Sequence, residues 1–110
     1  MAGITVILQR SQSGCIQGIS SNGHASRQTE TSIPCGLVSS ALRSFGRLLA
    51  NQEKLPVQAF IPAPGQFELR VGVLPHDIEE WYRGICSLLE QTLSDAQADF
   101  PDQINLKFQI

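Results

Sequence analysis

Charge is scarce in this chain. Only 16% of its 110 residues are Asp, Glu, Lys or Arg, against about a quarter in an average globular domain. The formal balance is −2 and the pI is near 5.5, so no basic footprint marks nucleic acid as a direct partner. Paired cysteines are missing too. Cys15, Cys35 and Cys86 include no CxxC and no His/Cys ligand spacing, so neither a disulfide scaffold nor a zinc site is expected. No apolar run reaches the ~20 residues of a membrane-spanning helix. No basic patch leads into an apolar stretch near Met1, and the expected address is cytoplasmic, away from membranes. Gly14, Gly18 and Gly23 form neither a strand–GxGxxG–helix unit nor a GxxxxGKS/T loop, and no cofactor is expected.

What is present suits one domain over residues 1–110. The apolar fraction is 42%, enough for a single core at this length. Ile4, Val6 and Leu8 alternate with Thr5, Ile7 and Gln9, the period of a strand. Gln12-Ser13-Gly14 supplies a turn, and residues 15–20 read as the second strand of a hairpin. Residues 21–32 hold no apolar side chain except Ala25 and read as a long polar loop, of the kind that is functional or mobile in compact domains.

Leu37, Val38, Ala41, Leu42, Phe45, Leu48 and Leu49 then define a helical stripe ending near Asn51, with Gly36, Ser39, Ser40, Arg43 and Arg47 elsewhere on its surface. A second hairpin follows, with Val57, Ala59 and Ile61 on one strand and Phe67, Leu69, Val71 and Val73 on the other. Asp77 is expected to cap a second helix, with Glu80 completing a capping box. Its stripe is Ile78, Trp81, Tyr82, Ile85, Leu88, Leu89, Leu93 and Ala96. A last strand alternates Ile104, Leu106, Phe108 and Ile110 with polar residues.

The order is ββαββαβ. Clean alternation in most strands means a sheet with one apolar face, and two amphipathic helices suffice to cover it. The expected fold is α+β: a two-layer sandwich with a five-stranded, mostly antiparallel sheet and two helices on one face. Ile7 and Phe60 fall on the uncovered face, a hint of a dimer contact there.

Reactive chemistry concentrates between Asn22 and Leu49. Pro34 suits the first helical position, with Ile33 before it as the cap. That puts Cys35 in the first turn, where free N–H groups and the positive end of the helix dipole favour thiolate over thiol and can stabilise an oxyanion. The alternative is a small hydrophobe at a helix end. His24, in the polar loop between Gly23 and Ala25, belongs to no apolar stripe. An imidazole close to a thiol can take its proton and return it to a leaving amine. The alternative for His24 is a solvated loop residue, and His76 is a second candidate base. Glu30 or Asp77 could orient the imidazole; nothing in the sequence selects one. Cys86 falls on the buried stripe of the second helix and Cys15 at a strand start, and both read as packing residues.

Asn22-Gly23-His24-Ala25 and Cys35-Gly36-Leu37-Val38-Ser39, with Ala41-Leu42 and Phe100-Pro101, resemble in order the G-H-A and C-A-A-V-S motifs of the ribosomal-processing cysteine protease family, Prp. The similarity spans essentially the whole chain. It implies a cytoplasmic bacterial endopeptidase, usually a homodimer. Such enzymes remove a short N-terminal extension from a large-subunit ribosomal protein, cutting after an aromatic residue and before a small one. Carried over position by position, Cys35 is the nucleophile and His24 the base. Gly23, Ala25, Ser32 and Ser39 become supporting or substrate-binding positions, with no metal. Residues 25–32 correspond to a segment that orders over bound peptide. Two departures stand out. The family's Asp-Ile-Val-Cys is Ser32-Ile33-Pro34-Cys35 here, which removes a carboxylate and stiffens the approach to the nucleophile, and Gly36 replaces alanine in the first turn.

Two other classes fit the sequence. A non-catalytic peptide- or ribosome-binding module would use the same loop and groove, and iodoacetamide would then label all three cysteines slowly rather than Cys35 first. A small-molecule-binding α+β domain that dimerises through its sheet would need polar residues gathered at one point, and outside the loop they are scarce.

Overall fold

A computed structural model describes residues 3–23, 33–62 and 65–110. Strands β1 (Ile4–Arg10) and β2 (Ile16–Asn22) are followed by helix α1 (Ile33–Ala50), strands β3 (Val57–Phe60) and β4 (Gln66–Val71), helix α2 (Glu79–Asp99) and strand β5 (Ile104–Gln109). This is the ββαββαβ order expected from the hydrophobic periods.

The strands form one five-stranded sheet in the order β3-β4-β2-β1-β5. Every neighbouring pair is antiparallel except β1 with β5, which is parallel. The directions follow from the connections. Each helix joins two strands that run the same way, β2 to β3 through α1 and β4 to β5 through α2, and such a return needs a crossover of helix length. The result is an α+β sandwich with a mixed, mostly antiparallel sheet under two helices.

Alternation decides which side chains meet the helices. On β1, Ile4, Val6 and Leu8 are buried. Across the sheet Val6 opposes Ser21 and Leu8 opposes Ile19, while Ser21 and Ile19 oppose Phe67 and Leu69 on β4. Facing them, α1 contributes Pro34, Val38, Leu42, Phe45 and Leu49, and α2 contributes Tyr82, Cys86, Leu89, Leu93 and Ala96. Removing these side chains from water is the main driving force for the fold, roughly 1.5–3 kcal/mol for each large one.

On the other face Ile7 opposes Ser20, Ser20 opposes Glu68 and Glu68 opposes Phe60. Ile7 and Phe60 do lie on the uncovered side, but Ser20 and Glu68 stand between them, with Ser20 Oγ donating to Glu68 Oε2 at 3.4 Å. They form no continuous apolar patch.

Several local expectations are corrected. β2 begins at Ile16, one residue after Cys15, and runs on through Ser21 and Asn22, which pair on both sides with β1 and β4. Ladder bonds on two edges override the weak strand preference of Ser and Asn. Helix α1 includes Ile33, so Pro34 is its second residue. Asp77 does not cap α2. Pro75 opens a single 3₁₀ turn over His76–Ile78, which moves the cap position to Ile78, without a side-chain cap bond. The Asp77 carboxylate instead accepts from Lys54 Nζ at 2.5 Å, and this bond holds its pKa below the usual carboxylate value. Within the predicted stripes Leu37, Leu48, Trp81 and Leu88 remain exposed.

Candidate active site

Cys35 is half-buried in the first turn of α1. It lines a cavity of about 360 Å³ between the start of α1 and the ends of β2 and β4 nearest to it. Cys35, Ser39 and Arg43 border the cavity at successive four-residue steps along α1, the spacing that keeps side chains on neighbouring turns of one side of a helix. Val38 and Leu42 line it from the same helix, Ile4 and Phe67 from the sheet, and Ile61 from the end of β3. The lining is therefore mostly apolar, with Cys35 and a few polar residues among it, the composition of a pocket that takes an apolar side chain and orients what is attached to it.

Gly23, just after the end of β2, also lines the cavity. Gly23 has φ +117° and a Cβ there would stand 2.0 Å from the Gly3 carbonyl oxygen. Only glycine allows the chain to pass this close to the residue before β1 while holding a positive φ. Ser21, 8% exposed, is the one buried polar residue of the described core and borders the same space.

Of the sequence-predicted site residues, Cys35, Gly23 and Ser39 meet at this cavity. His24, Ala25 and Ser32 lie outside the described residues, as does Glu30. His76 is fully exposed, with its imidazole Nδ1 3.3 Å from Glu79 Oε1 at the start of α2. It does not line the cavity.

The other two thiols belong to the core. Cys15 and Cys86 are 4% and 3% exposed, and burial pushes the Cys86 thiol up to about 11. Such a group packs as a small hydrophobe and reacts slowly. No disulfide joins the three cysteines. Arg43 is a cavity residue that the sequence reading leaves on ordinary helix surface. Its offsets of four residues from Ser39 and eight from Cys35 are the signal that could have placed it here.

Among the described residues no three His, Cys, Asp or Glu side chains gather in a way that could hold a metal ion, and no helix is long and apolar enough to cross a membrane.

No protein-family model matches this sequence, and no curated protein matches it either. Similarity appears in three dimensions. The essential ribosomal processing protease Prp from S. aureus, in complex with a covalently linked product peptide, superposes with a TM-score of 0.79 over 96% of this chain and 99% of that one, at 18% sequence identity. The same protease in complex with a substrate peptide gives 0.78 over 96% and 99%, at 17% identity. SMU.848 from Streptococcus mutans gives 0.79 over 97% of each chain, at 16% identity. Almost end to end, the chain has the fold of the ribosomal processing protease Prp.

Proposed function

We propose that this protein is a cysteine endopeptidase that removes a short N-terminal extension from a large-subunit ribosomal protein, acting in the cytoplasm as a homodimer. The observation that carries this reading is the shared cavity. Cys35, in the first turn of α1, and Gly23, the residue before His24, border one mostly apolar space. The fold shared with a protease captured with substrate and with covalently linked product peptides supports it.

In the proposed reaction the Cys35 sulfur attacks the scissile carbonyl, and His24 accepts the thiol proton. Backbone N–H groups at the start of α1 hold the oxyanion. Collapse of the tetrahedral adduct breaks the C–N bond, and His24 returns the proton to the leaving amine. Water then attacks the thioester, releasing the carboxylic acid product and restoring the thiol. Ser39, one turn along, supports the bound peptide.

The test is incubation with a peptide spanning the junction between extension and mature ribosomal protein, read by mass spectrometry. Two product masses are expected from the wild-type protein and none from Cys35→Ala or His24→Ala. Cleavage by Cys35→Ala would rule out the thiol mechanism. Tight binding of an intact peptide by the wild-type protein would replace the enzyme with a non-catalytic binding module of the same fold.

A further inference from the structure

Arg43 is the one charged residue lining the Cys35 cavity among the described residues. Its side chain is exposed, and its only hydrogen bond among those residues is a long one, Nε to the Ser39 carbonyl at 3.4 Å. Arg47, one turn further on, is exposed as well. The other described arginines each sit on a carboxylate: Arg10 on Glu90, Arg70 on Glu68 and Arg83 on Glu79. Neither Arg43 nor Arg47 has one within ion-pair distance among the described residues. Like charges at this four-residue spacing mildly destabilise a helix. The described chain thus keeps two unneutralised cations one helical turn apart, the first of them lining an apolar cavity, in a protein whose net charge is −2.

We infer that Arg43 is a specificity residue, selecting peptides that carry an acidic side chain a few residues away from the bond at Cys35. This rests on the reading of the cavity as the peptide-binding site. The position of the acid follows from the helix. Eight residues at 1.5 Å each put Arg43 about 12 Å along α1 from Cys35, the length of about three to four residues of extended peptide. An apolar side chain then fills the space between Val38, Leu42 and Phe67, while a carboxylate further along meets the guanidinium, whose fork geometry matches it. Arg47 adds to the local potential without lining the cavity.

Peptide binding to Cys35→Ala protein tests this without turnover. The probes are short fluorescent peptides, capped at both ends, with a central Phe-Ala and a single Asp or Asn walked outward on each side. A further neutral probe has an uncapped C-terminal carboxylate. The expected result is that Asp binds about three- to fivefold more tightly than Asn at three to four residues from the Phe-Ala bond, the upper range for an exposed ion pair. The preference shrinks with added salt. It is lost in Arg43→Gln and inverted in Arg43→Glu, a variant that keeps α1 intact because the new carboxylate would pair with Arg47 at the favourable four-residue spacing.

An Asp preference that survives Arg43→Glu, or no preference at any position, would overturn the assignment. So would a gain confined to the uncapped terminus, which would assign Arg43 to a chain-end carboxylate instead. Because this assay reads binding by a protein that cannot form an acyl-enzyme, it stands or falls separately from the cleavage experiment.

Discussion

Two glycines with positive φ separate the cost of backbone conformation from the cost of contact. Gly14 has φ +91° and open space where a Cβ would go, whereas Gly23 has φ +117° and the Gly3 carbonyl oxygen 2.0 Å from that point. Gly14→Ala is expected to lose about 1–2 kcal/mol, the left-handed penalty alone. Gly23→Ala adds a clash with backbone that has no rotamer by which to yield, and a loss of more than about 3 kcal/mol is expected. Urea denaturation of both variants checks this; equal losses would mean that the chain at Gly23 can move away from Gly3. The same scale shows what is readable in the side chains. Cys86 separates from Cys35 because a helical stripe claims one and a helix start the other. Arg43 escapes because periodicity sorts residues into buried and exposed, and an exposed residue on a cavity rim has the same signature as one on bare surface.

At the scale of elements, periodicity recovers every strand and both helices; in β1, β2 and the two helices the period follows from burial of one face, whereas β3 keeps the alternation with no residue fully buried. It fails at the ends. Asp77 and Glu80 have the spacing of a capping box, but Pro75 introduces a 3₁₀ turn first and Lys54 engages the Asp77 carboxylate. β2 outruns its apolar residues because β1 and β4 offer bonds to Ser21 and Asn22, and such pairing depends on residues far along the chain. The predicted stripes are also too wide. Leu88 is 68% exposed and Leu48 43%, because each helix meets the sheet along a narrower band than hydrophobicity alone suggests. In α1 the first turn carries Gly36, with nothing within 4 Å of its would-be Cβ. Gly36→Ala should therefore raise stability by about 0.5–1 kcal/mol, through helix propensity without any new contact. Thermal unfolding checks it; a loss of stability would mean that this turn needs the freedom of glycine next to Cys35.

For the whole molecule, the core's buried acids set how stability responds to alkali. Cys86 is 3% exposed, and desolvation is the largest cause of its rise from about 9 to about 11. Around it lie the Ile16 backbone, Tyr82, Cys15 and Glu90. Tyr82 is 1% exposed, its hydroxyl donates to the Ile16 carbonyl at 2.5 Å, and desolvation raises its pKa from 10.0 as well. Both groups are neutral when protonated, and the folded state holds their protons more tightly than the unfolded chain does. Below about pH 9 the two states are protonated alike, and the full stability is present. As pH rises from about 9 to about 11, unfolding releases the Cys86 proton, so stability falls with increasing pH; above about 10 the Tyr82 proton steepens the fall. The urea midpoint should stay level from neutrality to about pH 9 and then decline. Cys86→Ala should flatten the first part of that decline and Tyr82→Phe the second, whatever either substitution does to the level at neutral pH. A decline with the same slope in both variants would place the responsible groups elsewhere, and the two buried hydroxyl and thiol protons would no longer account for the alkaline limit of the fold.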